Sequence, residues 1–165
     1  MADIVSPTVR SRMMSGIRSK NTKAEWVVRR ELHRRGLRYR LHASHLIGTP
    51  DIVFPGRKAV IFVSGCFWHG HDCHLFRLPK TRPEFWSAKI NRNRDRDDEV
   101  RSALQGEGWR CFTIWECALG GKGYPLVGDA VDQFVYWLDG AAVEGETGEK
   151  GDGSRRPSGL ASRVR

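Results

Sequence analysis

The chain has 165 residues, 39% hydrophobic and 28% charged, with a formal net charge of +9. That length allows one domain with a real core and is short for two. The longest aliphatic runs are only strand length and no secretory signal opens the sequence, which excludes a spanning helix and predicts a cytoplasmic protein.

The charge is uneven. Residues 1–40 hold eleven Lys/Arg and three Asp/Glu, whereas residues 41–140 hold twelve of each. A basic N-terminus predicts a phosphate-backbone partner such as a nucleic acid. The plain alternative is a solvated basic helix that only aids solubility. The four cysteines are Cys66, Cys73, Cys111 and Cys117. In a cytosolic chain, Cys clustered with His reads as a metal site rather than a disulfide framework.

In chain order, residues 1–20 form a basic arm with a short helix around Pro7 to Ile17, given a small apolar face by Met13, Met14 and Ile17. Thr22-Lys23-Ala24-Glu25 has capping-box form and opens a helix to about Arg35, which Gly36 ends. Leu37–Leu41 alternates apolar and basic, as a half-exposed strand does. Gly48-Thr49-Pro50 breaks the chain before a short strand, Asp51–Phe54. A turn over Pro55–Lys58 leads to a second strand, Ala59–Val63, apolar on both faces and so suited to the middle of a covered sheet. Thr81-Arg82-Pro83-Glu84 opens a helix whose middle, Asn91–Glu99, is strongly polar, so it reads as two helices or as one with an exposed centre. Trp109–Trp115 is a third core strand and Leu126–Leu138 an amphipathic helix. From Gly140 the chain has almost no large apolar side chain and is expected to be disordered. The order predicts an α/β fold, a mixed sheet of roughly three to five strands with helices on both faces.

The stretch Val63–His74 carries two thiols, three imidazoles and the adjacent Phe67 and Trp68. Cys66, His71 and Cys73 put three ligands in one loop, and Cys117 could add a fourth. A Cys3His set is a closed tetrahedral zinc site. His69 and His74 compete as ligands, and the alternative is ordinary core thiols with surface histidines. Asp51 starts a strand of a hairpin, where Mg²⁺ nucleases place carboxylates. The second strand offers neither acid nor lysine, so Asp51 also reads as a loop-to-strand cap. His69, in a loop tied by metal ligands, is placed as a general base must be; the alternative is a solvent-facing or supporting histidine. Phe67 and Trp68, with Trp86, could stack on or wedge between bases, although Trp86 alone also reads as helix core.

Gly-x-Pro-Asp, then Val-Ile-Phe-x-x-Gly-Cys-Phe-Trp-His-x-His-x-Cys, Arg-x-Glu-Phe-Trp, Gly-Trp-Arg and Trp-Glu-Cys-Ala-Leu resemble the very-short-patch-repair (Vsr) DNA mismatch endonucleases, from about Thr8 to Leu138. The resemblance implies a restriction-endonuclease-like fold with a structural zinc. It divides the chain into an arm (1–20), an endonuclease domain (21–139) and a tail (140–165). It implies Mg²⁺-dependent nicking 5′ of the thymine in T:G mismatches left by 5-methylcytosine deamination. The implied partner is double-stranded DNA in the prokaryotic nucleoid, bound by a monomer open to contact with mismatch-repair proteins. Carried over, Asp51 and the Val63 main-chain carbonyl hold Mg²⁺. His69 is the base, and Glu25 supports the ion's water shell. Cys66, His71, Cys73 and Cys117 bind zinc. Phe67, Trp68 and Trp86 enter the base stack from one groove and Met14 from the other, with Lys89 and Asn93 near the mismatched pair. This chain departs from a known member at Val63, where that protein has threonine, and at Ser64, where it has histidine. The second change removes an imidazole from the ion's surroundings. Gly70 and Asp72 also interrupt a histidine run, which leaves His71 the less ambiguous ligand. Other readings of the same fold are a restriction-type endonuclease that cuts matched DNA and a non-catalytic mismatch-binding module.

Overall fold

The computed structural model describes residues 6–15 and 20–147. Helix α1 spans Pro7–Ser15, with Val9 and Met13 exposed; Ile17 and the side chain of Met14 lie outside the described residues. Helix α2 spans Lys23–Arg34 and starts on the predicted capping box. Glu25 N–H donates to Thr22 Oγ1 at 3.2 Å, and Thr22 N–H donates back to Glu25 Oε1 at 3.5 Å. Gly36, at φ +80°, supplies the left-handed residue that follows its end.

A five-stranded sheet runs in chain order: β1 Arg40–Leu41, β2 Ile52–Phe54, β3 Ala59–Ser64, β4 Arg110–Trp115 and β5 Glu144–Glu146. β1, β2 and β3 are antiparallel; β3, β4 and β5 are parallel. Helix α3 (Pro83–Gly106) makes the crossover from β3 to β4, and α4 (Val127–Asp139) the crossover from β4 to β5. The two-residue period of the strands sorts the core into two layers. Ala59, Ile61, Phe112 and Ile114 pack with Val28 and Leu32 of α2 and with Val131 and Phe134 of α4. Val60 and Cys111 pack on the other face with Leu104 of α3 and Trp109. The result is the expected mixed sheet covered by helices on both sides.

Several elements differ from the sequence reading. Only Arg40 and Leu41 of the Leu37–Leu41 segment pair with β2, because Leu37 and Tyr39 turn into the α2 layer, where Tyr39 Oη donates to Arg29 O at 3.0 Å. Asp51 lies just outside β2. Within the predicted Thr81–Glu84 opening the helix starts at Pro83, which needs no amide partner in the first turn, and Arg82 occupies the cap position at φ +55° without a side-chain bond. Helix α3 is continuous over 24 residues, and its polar centre is partly used, reaching back to the loop after β3.

The segment after Gly140 is not wholly without order. β5 forms there and pairs with β4 from Cys111 to Thr113. Its hold is backbone and polar rather than apolar, which is why a count of large side chains misses it. Thr147, 1% exposed, donates its N–H to Thr113 O at 2.9 Å and accepts from Trp115 N–H at 2.9 Å. Gly145 permits the approach, since a Cβ there would lie 2.5 Å from Trp137. The tail from residue 148 lies outside the described residues. Among the described residues, no helix is long and apolar enough to cross a membrane.

Candidate functional site

Two donor clusters lie at the C-terminal end of β3 and beyond it. The first gathers Cys66, His71, Cys73 and Cys117, with one ligand atom from each within 4.8 Å of the others. The turn after β3 supplies three of them. His71 N–H donates to Cys66 O at 2.9 Å and folds the loop back on itself. Cys117 arrives on the short 3-10 turn that follows β4, its N–H donating to Cys66 Sγ at 3.4 Å. Cys117 Sγ lies 3.5 Å from His71 Nδ1. Hydrogen bonding from Cys117 holds the Cys66 thiol down at about 5. Cys117 is driven well above the usual thiol range by the same bond. The contacts within the cluster thus favour a thiolate at Cys66, and a thiolate is the form that binds metal. Trp115 stacks on the His71 ring at 4.1 Å and 7°. Neither His69 nor His74 joins this cluster, and Cys111 is a core residue, as predicted, with its thiol raised to about 11 by burial.

The second cluster joins Glu25, His42 and Asp51, again within 4.8 Å. Asp51 stands just before β2, and its Oδ2 accepts from Val63 N–H of β3 at 2.8 Å. Burial lifts its pKa to about 7, with the Glu25 charge adding to the rise. Glu25 is 2% exposed, and Arg29, one helical turn on, donates to its Oε2 at 2.5 Å. Asn21 N–H also donates to that oxygen, at 3.0 Å. The cap role and the buried-carboxylate role of Glu25 therefore coexist.

A cleft of about 870 Å³ opens over this corner and reaches Asp51, Val63, Trp68, His69 and Lys89. His69 lines it, and its Nδ1 is bonded to Asp97 of α3. A carboxylate accepts there, so Nδ1 carries a proton, and in the neutral ring Nε2 is the acceptor. The loop that holds His69 is pinned to α3 from behind. Asn93 Nδ2 donates to Trp68 O at 2.8 Å, and Arg94 Nε donates to His69 O at 3.1 Å.

The three singled-out aromatics do come together. Phe67 meets Trp68 at 5.1 Å and Trp86 at 5.4 Å between ring centroids. All three are part-exposed, and Lys89 Nζ lies 5.3 Å from Trp68 and 5.6 Å from Trp86. A cation held over two indoles beside a cleft suits a phosphate with flat bases attached.

Sequence reasoning passed over Arg29, His42 and Asp97. Asp97 had a signal: Lys89, Asn93 and Asp97 recur every four residues on the face of α3 that bears Trp86. It was hidden by the acidic and basic residues around it. His42 had none, because the fold alone brings the end of β1 beside α2.

A family model described as DNA mismatch endonuclease Vsr matches residues 2–75. The chain is 52% identical over 123 residues to the type II nicking enzyme V.XorIIP of Xanthomonas oryzae pv. oryzae, a match covering 74% of this chain and 90% of that relative. It is 38% identical over 152 residues to the DNA mismatch endonuclease Vsr of Escherichia coli K12, covering 92% of this chain and 97% of that one. It is 41% identical over 122 residues to the type II nicking enzyme V.NmeAIP of Neisseria meningitidis, covering 74% and 87%. On these matches, the chain belongs to the Vsr DNA mismatch endonuclease family.

Proposed function

We propose that this protein is a DNA endonuclease with a restriction-endonuclease-like fold that nicks one strand 5′ of the thymine in a T:G mismatch, by Mg²⁺-dependent hydrolysis. The observation that carries the reading is the convergence on one cleft of Asp51, Val63, Glu25 and His69, next to an aromatic cluster bearing Lys89.

The donor sets differ in kind. Three thiols and an imidazole suit a tetrahedral Zn²⁺ that staples the loop after β3 to the turn after β4. A buried Glu25 and a half-buried Asp51 on the strand end that carries Val63 suit a hard cation. In this reading Asp51 and the Val63 carbonyl hold Mg²⁺, with Glu25 at its water shell. Mg²⁺ there would neutralise charge on the scissile phosphate and ease ionisation of a water. Everything else falls to the chain. His69 takes the proton of the attacking water at Nε2, and Asp97 keeps the ring oriented and stabilises the charge it gains. Water adds to phosphorus as the P–O3′ bond breaks, leaving a 5′-phosphate and a 3′-oxyanion that takes a proton from solvent to become the 3′-hydroxyl.

Phe67, Trp68 and Trp86 would wedge beside the mismatch, where unstacking costs least. Met14 would approach from the opposite groove. Lys89 and Asn93 would lie near the mismatched pair, and the basic arm would add salt-sensitive affinity. The test is nicking of duplexes carrying T:G or C:G, with Mg²⁺ or without. Single-strand nicks confined to T:G with Mg²⁺ support the reading. Double-strand cuts in matched DNA would make the protein a restriction-type endonuclease, and tight binding without turnover a recognition module.

A further inference from the structure

No feature of the sequence singles out His42, yet it lies in the carboxylate corner. Its Nε2 is 3.7 Å from Glu25 Oε2. Arg29 fills the gap between them: one guanidinium nitrogen donates to Glu25 at 2.5 Å and to His42 Nε2 at 2.9 Å. A guanidinium only donates, so Nε2 accepts and its lone pair faces the cluster. Nδ1 then carries the ring proton; it is buried and has no hydrogen-bond partner among the described residues. The Glu25 and Arg29 side chains are 2% and 4% exposed, and Asn21 Oδ1 accepts from Arg29 at 2.8 Å. The guanidinium is thus a resident cation in a place built from Glu25 and an imidazole, with Asp51 within 4.8 Å.

We infer that His42 is an additional, nitrogen donor to the divalent cation assigned above to Asp51, with Arg29 holding Nε2 in place until the ion enters. The inference rests on that assignment. One nitrogen among oxygen donors raises affinity for Mn²⁺ more than for Mg²⁺, because imidazole is the softer ligand. The site then prefers Mn²⁺ over Mg²⁺ more strongly than an all-oxygen site does.

Pulsed electron spin resonance of Mn²⁺ bound to the full-length, zinc-loaded protein tests this without reference to turnover. It is recorded alone and on a short duplex, for the wild type, H42Q and D51A. H42Q keeps an acceptor for Arg29, and H42A is measured in parallel so that the result does not depend on how glutamine packs. The wild type is expected to show nitrogen modulation that both His42 variants lose. Their Mn²⁺ dissociation constants should rise about tenfold, with a smaller change for Mg²⁺. Mn²⁺ binding that depends on Asp51 but shows the same nitrogen signal with and without His42, or none in either, overturns the inference and leaves the Asp51 assignment intact. Mn²⁺ binding indifferent to D51A, or absent, overturns both.

Discussion

Asp51 and Val63 are joined across the β2–β3 hairpin: the Val63 amide donates to Asp51 Oδ2 at 2.8 Å, although the residues are twelve positions apart. One bond thus fixes a carboxylate against the strand that carries the next proposed ion ligand, and it does so without any acid on β3. Burial of the same carboxylate, which raises its pKa to about 7, makes it costly to ionise unless a cation arrives.

That cost has a measurable pH dependence. The folded state holds the Asp51 proton more tightly than the unfolded chain, whose ordinary value is 3.8. Ionisation therefore opposes folding: the penalty is absent below about pH 4, grows up to about pH 7 and is constant above. D51N removes it while keeping an acceptor for Val63. In zinc-loaded protein without added Mg²⁺, D51N should melt above the wild type at about pH 8, and the gap should close at about pH 4. Thermal unfolding at the two pH values checks this. A gap that widens on acidification contradicts the burial argument.

The thiol cluster predicts that metal removal loosens the loop after β3. Chelation, or H71A, should lower the melting temperature by about 10 °C or more, since several kcal/mol of folding energy would be lost. Zinc content and calorimetry on the same samples check it. H74A should keep a full complement of zinc, because His74 is no part of the cluster.

Much of this site was legible before the fold was known, for local reasons. Cys66, His71 and Cys73 fall in one loop, and the Thr22–Glu25 cap needs only its own helix turn. Cys117 is brought in by the parallel pairing of β3 with β4, in which Ser64 faces Trp115. The missing pieces depend on tertiary contact. Arg29 looks like one more basic residue on a basic helix until Asn21, Glu25 and His42 close around it. β5 carries two glutamates and a glycine, a composition that reads as a tail; its place is set by a Trp115 indole N–H that donates to Glu146 at 2.7 Å and by Thr147.

Asp97 is expected to act through His69. D97N should slow nicking about 10- to 100-fold and shift its pH profile, whereas H69A should cost about 10²- to 10⁴-fold. The readout is single-turnover rate against pH. An unchanged profile in D97N, with zinc retained, would leave Asp97 as a packing residue of α3 only.

The aromatic cluster predicts a loss of selectivity rather than of chemistry. W68A and W86A should each weaken binding to a T:G duplex by about 1–3 kcal/mol while affecting a matched duplex less. K89A removes the cation over both indoles and should reduce the salt dependence of binding. Titrations at two salt concentrations on both duplexes measure these effects. Equal losses on the two duplexes would make Trp68 and Trp86 general DNA contacts rather than a mismatch wedge.

The most direct test of the central claim is single-turnover nicking of a T:G duplex in Mg²⁺ by the wild type and D51N, with DNA affinity and zinc content measured on the same preparations. One nick 5′ of the thymine is expected from the wild type, and a rate lower by about 10³-fold from D51N, with affinity and zinc unchanged. Equal rates, or a D51N protein that loses zinc and structure together with activity, would contradict that claim.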